Sequence, residues 1–333
     1  MMKQKTWPAR SDGSRFLSLP LSKIKGPKFP TRTSTHQIPF YNTRPSDGHD
    51  FSALPYDVLT KIAASFSLQN LRAASLVCKS WSEALKPLRE AMLLLHWGKR
   101  FKHGHGGVRP NLDKALDSFL KGAARGSALA MVDAGLIYWE LGHKDKAVAL
   151  YHKAAGLGDP AGQCNLAISF LQAEPPNLKE AVTWLYRASI AGHVRSQYQL
   201  ALCLHQGRGV NCNIKDAARW YLKAAEGGYV RAMYNVSLCY SSGEGLVRSH
   251  QLARKWMKRA ADRGHTKAQF EHGLALFSEG DMMKAVVYLE LATRAGERAA
   301  ARVKNVILQQ LSATSRDRVM LLADNWKALP SSR

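Results

Sequence analysis

Small residues recur along the chain at intervals that are typical of helices. When the sequence is aligned on a recurrent glycine, successive anchor glycines are 32, 34, 36, 36 and 32 residues apart. An alanine stands eleven residues before every anchor, and a small residue stands four before it. The anchors are Gly126, Gly158, Gly192, Gly228, Gly264 and Gly296, and the alanines are Ala115, Ala147, Ala181, Ala217, Ala253 and Ala285. Since residues seven apart share one helical face, the spacing predicts repeated helix hairpins.

The pattern continues on both sides of the anchor. The residue eight positions before it is mostly a large ring, as in Trp184, Trp220 and Trp256. After the anchor, position +4 is always small, position +6 is mostly apolar and position +10 is always aliphatic. Small residues let two helix backbones approach closely, so each unit is predicted to be an antiparallel helix pair stacked on the next. The anchor glycine is predicted to end a helix in the left-handed conformation.

Glycine-rich segments such as GRGV (207–210) and GEGL (243–246) lie between the predicted helices. They are predicted to be turns and not phosphate-binding loops, because no strand precedes them. The whole pattern, clearest in YLKAAEGGYVRAMYNVSLCY (221–240), resembles the Sel-one-like repeats, relatives of the tetratricopeptide family. The resemblance covers residues 93–311. It implies an all-α fold in which about six helix hairpins form a curved α/α solenoid that binds proteins.

The stretch before the repeats reads LPYDVLTKIAASFSLQNLRAASLVCKSW (54–81). Its apolar residues form two helical stripes, and we predict a turn between them near Gln69 and Asn70. A helical unit of under about fifty residues is too short to bury a good core unaided, so it would need a partner. Periodicity alone leaves open a second interpretation, in which this stretch is an ordinary first hairpin of the solenoid.

The segment SLVCKSW, with Leu-Pro at its start, resembles the F-box, here placed at residues 49–92. That resemblance implies a short helical unit that binds the Skp-type adaptor of a cullin-based ubiquitin ligase. The residues implied in adaptor binding are Leu54, Pro55, Val58, Leu59, Ile62, Leu71, Leu76, Val77, Cys78 and Trp81.

The two ends of the chain differ from the repeats. Residues 1–48 are basic and rich in Pro, Ser and Thr, which predicts a disordered arm; an organelle transit peptide is the alternative. Residues 312–333 are predicted to form a capping helix and tail. Thr314 with Asp317 indicates the helix start, and Val319, Leu322 and Trp326 fall on one face.

The charge of the chain and its cysteines indicate what kind of partner and which compartment to expect. Lys plus Arg number 48 against 25 Asp plus Glu, a formal charge of +23 that favours acidic partners. The five cysteines are scattered without a CxxC pair, which indicates a reducing compartment, and we predict the cytoplasm, the nucleus or both. No apolar run is long enough for a membrane span, so no membrane partner is predicted.

We find no constellation of residues for catalysis, and the sequence predicts neither an enzyme nor a bound cofactor or metal. His103 and His105 flank Gly104 in a turn without further ligands nearby. Cys203 and Cys239 occupy the same repeat position and are predicted to be small core residues.

Two further positions in each repeat are predicted to face away from the packed side. Position +3 after the anchor carries successive cations, and position +7 carries acids and amides. These residues are Asp133, Asn165, Arg195, Gln199, Arg231, Asn235, Lys267 and Glu271. They would form polar columns that suit an extended acidic peptide of a target protein, while a merely solvated face is the alternative.

These inferences together predict a substrate-recruiting adaptor of a cullin-RING ubiquitin ligase, with an F-box for the Skp-type adaptor and repeats for the target. The alternative is a ubiquitin-independent scaffold that binds protein or RNA, either in an organelle or elsewhere in the cell. Nucleic acid is disfavoured, because the repeated rings fall at predicted core positions and not on the exposed ones.

Overall fold

A computed structural model describes residues 54–63 and 66–329 of the chain. The described residues form seventeen α-helices and no strand, which confirms the all-α prediction. The predicted basic arm, residues 1–48, lies outside them. The helices are α1 Tyr56–Ala63, α2 Leu68–Ala74, α3 Lys79–Ala84, α4 Lys86–His103, α5 Leu112–Ala124, α6 Ala128–Glu140, α7 Lys144–Gly156, α8 Pro160–Gln172, α9 Leu178–Ile190, α10 Val194–Gln206, α11 Ile214–Glu226, α12 Val230–Ser242, α13 His250–Asp262, α14 Thr266–Ser278, α15 Met282–Arg294, α16 Arg298–Gln310 and α17 Ala313–Asp324.

The chain divides into two compact units at Ser127. Described residues of the first unit comprise α1 to α5, and those of the second comprise α6 to α17. The predicted boundary between F-box and repeats, at residues 92 and 93, falls inside the continuous helix α4, which packs against α5 as a hairpin.

The turn predicted near Gln69 and Asn70 is misplaced, because both residues lie inside α2. The chain turns earlier, where the Ser67 hydroxyl accepts a hydrogen bond from the Asn70 amide at 3.2 Å and caps α2. The second predicted stripe is also not one helix. Cys78 separates α2 from α3, and its Sγ accepts from the Trp81 amide at 3.5 Å. Side-chain acceptors at these two points satisfy backbone donors that a continuous helix would have used.

In the second unit, helices that follow an anchor glycine are here termed leading helices (α6, α8, α10, α12, α14 and α16). Those that precede one are termed trailing helices (α7, α9, α11, α13 and α15). Each of the first five leading helices packs most closely against the trailing helix that follows it. All six anchor glycines have φ between 83° and 94°, as predicted for left-handed helix ends.

The predicted small positions are buried. The six alanines at −11 are between 0 and 8% exposed, and the small residues at −4 and +4 are buried in every repeat. The sequence pattern missed a further core position, which is −7. Its members include Phe119, Tyr151, Leu185, Tyr221 and Leu289, each at most 1% exposed.

The burial of the aliphatic side chains at position +10 is less regular than their recurrence predicts. Leu136 and Ile168 are buried, but Leu238 and Val306 are exposed. The buried side of the leading helices instead follows positions +4, +8 and +11, as in Ala232, Val236 and Cys239 of α12. Positions +6 and +10 lie at the edge of this side, which explains their variable burial.

Helix α17 ends the repeat array by packing on α15. Its cap is Ser312, which accepts from the Ser315 amide at 3.3 Å, so the predicted start at Thr314 is wrong by two residues. Val319 is fully buried in the cluster around Leu289, as predicted, whereas Leu322 is exposed. The helix therefore covers apolar side chains of the last hairpin.

Candidate functional site

The F-box stretch exposes several large apolar side chains. Leu76 is 87% exposed, Val77 61% and Ile62 51%, and Val58 and Pro55 are exposed as well. Val58 and Ile62 are four residues apart in α1 and so share one helical face. Leu76 and Val77 lie in the turn between α2 and α3. Exposed apolar residues of this size, close together in sequence, indicate an interaction surface.

The other implied adaptor residues are less exposed. Leu59 and Leu71 are at most 2% exposed and pack with Leu85 in a small core. Trp81 packs partly buried against the same cluster, and Leu54 and Cys78 are half-buried. The ten predicted residues therefore divide into a group that faces solvent and a group that holds the helices in place.

The predicted polar columns on the leading helices are only partly exposed. Asp133 is 4% exposed and Asn165 is 1% exposed, so the prediction that they face away from the packing is wrong. Helix α6 packs on α8 as well as on α7, and residues on both sides of α6 and α8 are consequently covered.

The later members of the columns do reach the surface. Arg231 and Lys267 are exposed, and Arg195, Gln199, Asn235 and Glu271 are half-buried. Among the described residues, no carboxylate forms an ion pair with Arg195, Arg231 or Lys267. These three cations on α10, α12 and α14 are therefore available to an anionic ligand.

Aromatic rings lie near these cations. The rings of Tyr198 and Tyr229 have centroids 4.9 Å apart. Burial raises the pKa of Tyr229, and the neighbouring charges of Arg195 and Arg231 oppose that shift. Tyr229 thus lies within electrostatic range of both guanidinium groups, and its hydroxyl stays protonated at neutral pH.

A second aromatic pair occupies the next repeat. The rings of Tyr234 and His265 are stacked with centroids 4.6 Å apart, and the Tyr234 hydroxyl donates to Glu271 Oε1 at 2.6 Å. His265 Nδ1 accepts from the Ala268 amide at 3.2 Å and caps α14. Burial, together with nearby Arg231 and Lys267, lowers the pKa of His265 to about 4, so this ring is neutral at pH 7.

A structural device that the sequence reading missed is a buried glutamine at position +5. Gln197 Nε2 donates to the Ser189 carbonyl at 3.2 Å, and Gln269 Nε2 donates to the Ala261 carbonyl at 3.3 Å. Each amide satisfies a carbonyl near the C-terminal end of the preceding trailing helix. The recurrence of glutamine at position +5 is the sequence feature that could have predicted this hydrogen bond. The bond links consecutive helices and so holds the leading helix in place.

The described part of the chain contains no group of three or more metal-ligating side chains, and its His103 and His105 rings are 5.6 Å apart. Cys203 and Cys239 are buried, which raises the pKa of both thiols, that of Cys239 to about 11. Both are therefore protonated and unreactive at neutral pH. None of the described helices combines the length and apolarity required to cross a bilayer.

Comparison with known families matches both parts of the chain. A model described as F-box domain matches residues 51–90. A Sel1 repeat model matches residues 94–127, 144–159, 160–193, 194–229, 230–265 and 267–297. F-box domains generally bind Skp-type adaptors, and Sel1 repeats mediate protein binding. Proteins with these domains are typically adaptors or scaffolds without enzymatic activity.

Individual relatives agree with these matches. F-box protein At1g70590 of Arabidopsis thaliana is 65% identical over the full length of both chains. The crystal structure of c5321, a protective antigen of uropathogenic Escherichia coli with an SLR fold, has a TM-score of 0.61 and 22% identity; the match covers 81% of this chain and 63% of that one. A Sel1 repeat protein from Oxalobacter formigenes has a TM-score of 0.58 and 22% identity, and the match covers 68% of this chain and 98% of that one. Both structures share the repeat fold. The chain therefore belongs to the F-box proteins, as a non-enzymatic member whose F-box is followed by Sel1 repeats.

Proposed function

We propose that this protein is the substrate-recruiting subunit of a cullin-RING ubiquitin ligase. The F-box binds a Skp-type adaptor, and through it the cullin, while the Sel1 repeats hold a target protein. Ubiquitin transfer takes place on other subunits. The observation that carries the proposal is the exposure of Ile62, Leu76 and Val77 in a helical unit whose buried apolar residues form a small core.

The energetic reason is the burial of these side chains by a partner. Covering a fully exposed Leu, Ile or Val side chain contributes about 1.5 to 3 kcal/mol. Leu76 and Val77 lie in a turn, so an acidic substitution there removes contact surface without disturbing the core around Leu59. Replacement of Leu59 itself would confuse loss of binding with loss of folding.

The test measures adaptor affinity by titration calorimetry with a purified Skp-type adaptor. The double variant Leu76→Asp/Val77→Asp is expected to bind at least about a hundredfold more weakly, equivalent to about 2.7 kcal/mol. The matched control is Leu321→Asp/Leu322→Asp, which changes two exposed apolar residues of α17. Equal affinity for the adaptor in the two double variants would contradict the proposal.

The target-binding surface is proposed on α10, α12 and α14. Arg195, Arg231 and Lys267 recur one per repeat without carboxylate partners in the described structure, and Tyr229 lies within electrostatic range of the first two. Such cations suit an extended segment of a target protein that carries Asp or Glu side chains.

Two variants separate the roles of the two surfaces. Arg195→Glu/Arg231→Glu is expected to lose target proteins in quantitative affinity capture and to keep adaptor binding. Leu76→Asp/Val77→Asp is expected to lose adaptor binding and to keep the target proteins. Joint loss of both partners in either folded variant would argue against separate surfaces. We further propose that the protein acts in the cytoplasm or nucleus. A fluorescent fusion of residues 1–50 that enters plastids or mitochondria would favour the organellar scaffold instead.

A further inference from the structure

The trailing helices carry a row of cations that the proposed function does not use. Five residues before four of the six anchor glycines stand Lys153, Arg187, Lys223 and Arg259, on α7, α9, α11 and α13. All four are exposed. None of them forms an ion pair with a carboxylate within the described residues, although other cations of α11 and α13 do.

Three of these cations rest on tryptophan rings. The Arg187 guanidinium lies 4.7 Å from the Trp184 ring centroid, the Lys223 ammonium 4.5 Å from that of Trp220, and the Arg259 guanidinium 4.7 Å from that of Trp256. Each pair is three residues apart on one helix. A cation on a ring face remains charged and gives up part of its rotamer freedom before any partner arrives, which lowers the entropy cost of binding an anion.

Ring contacts connect neighbouring trailing helices. The His152 ring lies 6.4 Å from the Trp184 ring, and the Tyr186 ring lies 6.4 Å from the Trp220 ring. The cations of successive trailing helices therefore follow one another along one side of the array. Packed helices are about 8 to 10 Å apart. A peptide in the polyproline II conformation advances about 9 Å in three residues and returns its side chains to the same face, so a carboxylate at every third position matches the row.

Apolar side chains accompany the cations. Tyr186 and Ile190 are four residues apart on α9 and are 52% and 66% exposed, with Arg187 between them in sequence. A phosphate backbone has no apolar group that could pack against Ile190. An aliphatic or aromatic side chain of a protein can be buried there. The faces of Trp184 and Trp220 that hold the protein's own cations are not open to nucleobases, which disfavours single-stranded RNA.

We propose that the trailing helices form a second docking surface, whose occupant is an acidic protein segment with an apolar residue flanked by carboxylates. The segment lies along Lys153, Arg187, Lys223 and Arg259, and its apolar residue contacts Ile190. This surface is distinct from the leading-helix residues assigned to the target, and it leaves the F-box unoccupied.

The test uses fluorescence anisotropy with labelled synthetic peptides of about twelve residues. One peptide has Asp at every third position and a central Leu, and a second has the same composition with its Asp residues clustered at one end. A single-stranded RNA of equal charge is the third probe. The full chain is expected to bind the spaced peptide at least about fivefold more tightly than the clustered peptide and more tightly than the RNA.

The variant Arg187→Glu/Lys223→Glu is expected to weaken binding of the spaced peptide at least about tenfold, and Ile190→Ser at least about threefold. The matched control Arg254→Glu/Lys284→Glu changes two exposed cations that already have carboxylate partners, and should change affinity less than about threefold. If charge reversal unfolds the chain, as judged by circular dichroism, the neutral variant Arg187→Gln/Lys223→Gln is used instead. It must then show the weaker binding of the spaced peptide.

Equal affinity for the two peptides, tighter binding of the RNA, or an equal loss in the control variant would overturn the proposal. Adaptor affinity is measured on the same variants and is expected to stay unchanged. The second surface and the proposed ligase function can thus fail independently.

Discussion

A glycine substitution at the contact between α7 and α8 tests the packing of the repeats. Gly162, at position +4, is buried in the first turn of α8, and its amide donates to Asp159 Oδ1 at 2.6 Å. A Cβ added to Gly162 would lie 2.7 Å from Ala154 Cβ and 3.0 Å from the Ala155 backbone nitrogen. Neither atom belongs to a flexible side chain, so the two helices would have to separate.

The matched control is Gly156, the last residue of α7. A Cβ there would have no atom within 4 Å, and its φ is not in the left-handed range. Replacing Gly by Ala in a helix contributes up to about 1 kcal/mol of stability. Overpacking a close contact costs about 1 to 3 kcal/mol. Gly156→Ala is therefore expected to stabilise the protein slightly, and Gly162→Ala should be less stable than Gly156→Ala by about 1 to 3 kcal/mol.

The free energy of unfolding is measured by urea denaturation followed by far-UV circular dichroism. Because repeat arrays can unfold in parts, amide hydrogen exchange in α7 and α8 provides the local free energy as a second measurement. If Gly162→Ala is as stable as Gly156→Ala by both methods, the close approach of these helix backbones is not what stabilises the hairpin stack.

Two further predictions concern ionisable groups. Burial and neighbouring cations lower the pKa of His193 and His265 to about 4, whereas an unfolded histidine titrates near 6.5, so stability is lost as pH falls from about 6.5 to 4. The loss should be about 1 to 2 kcal/mol per histidine in denaturant titrations at several pH values, and the His193→Asn/His265→Asn variant, which keeps a capping side chain, should reduce it. Glu290→Ala should lower the free energy of unfolding by about 2 kcal/mol, because the largely buried Lys304, and Arg294 beside it, lose bonds of 2.7 Å to its carboxylate. The Glu290→Gln variant loses the charge but keeps the size of the side chain, so a melting temperature equal to that of the wild-type protein would contradict the charge-pair explanation.

The repeat pattern made much of the second unit predictable. The recurrent small residues at positions −11, −4 and +4 identified where helices meet, and these are buried in every repeat. Anchor glycines such as Gly192 and Gly228 have the predicted positive φ. These features follow from local geometry, because only small side chains permit close backbone approach and only glycine takes a left-handed φ without strain.

The interaction surfaces were less predictable. Asp133 and Asn165 share their repeat position with the half-buried Gln199, yet they are buried. The Trp184 and Trp220 rings, predicted to fill the core, are only half-buried and support exposed cations instead. In the F-box, periodicity did not show that Leu59 is buried while Ile62 is exposed.

The sequence by itself determined the length of each repeat, the turn at each anchor glycine and the side on which each helix meets its hairpin partner. Only the tertiary structure decided which other faces are covered, as where α6 packs on α8, and which polar residues remain exposed. The physical reason is that the spacing of residues in one helix reports its own faces. Coverage by a second neighbour depends on how successive hairpins pack, and that is decided by side chains from several helices together.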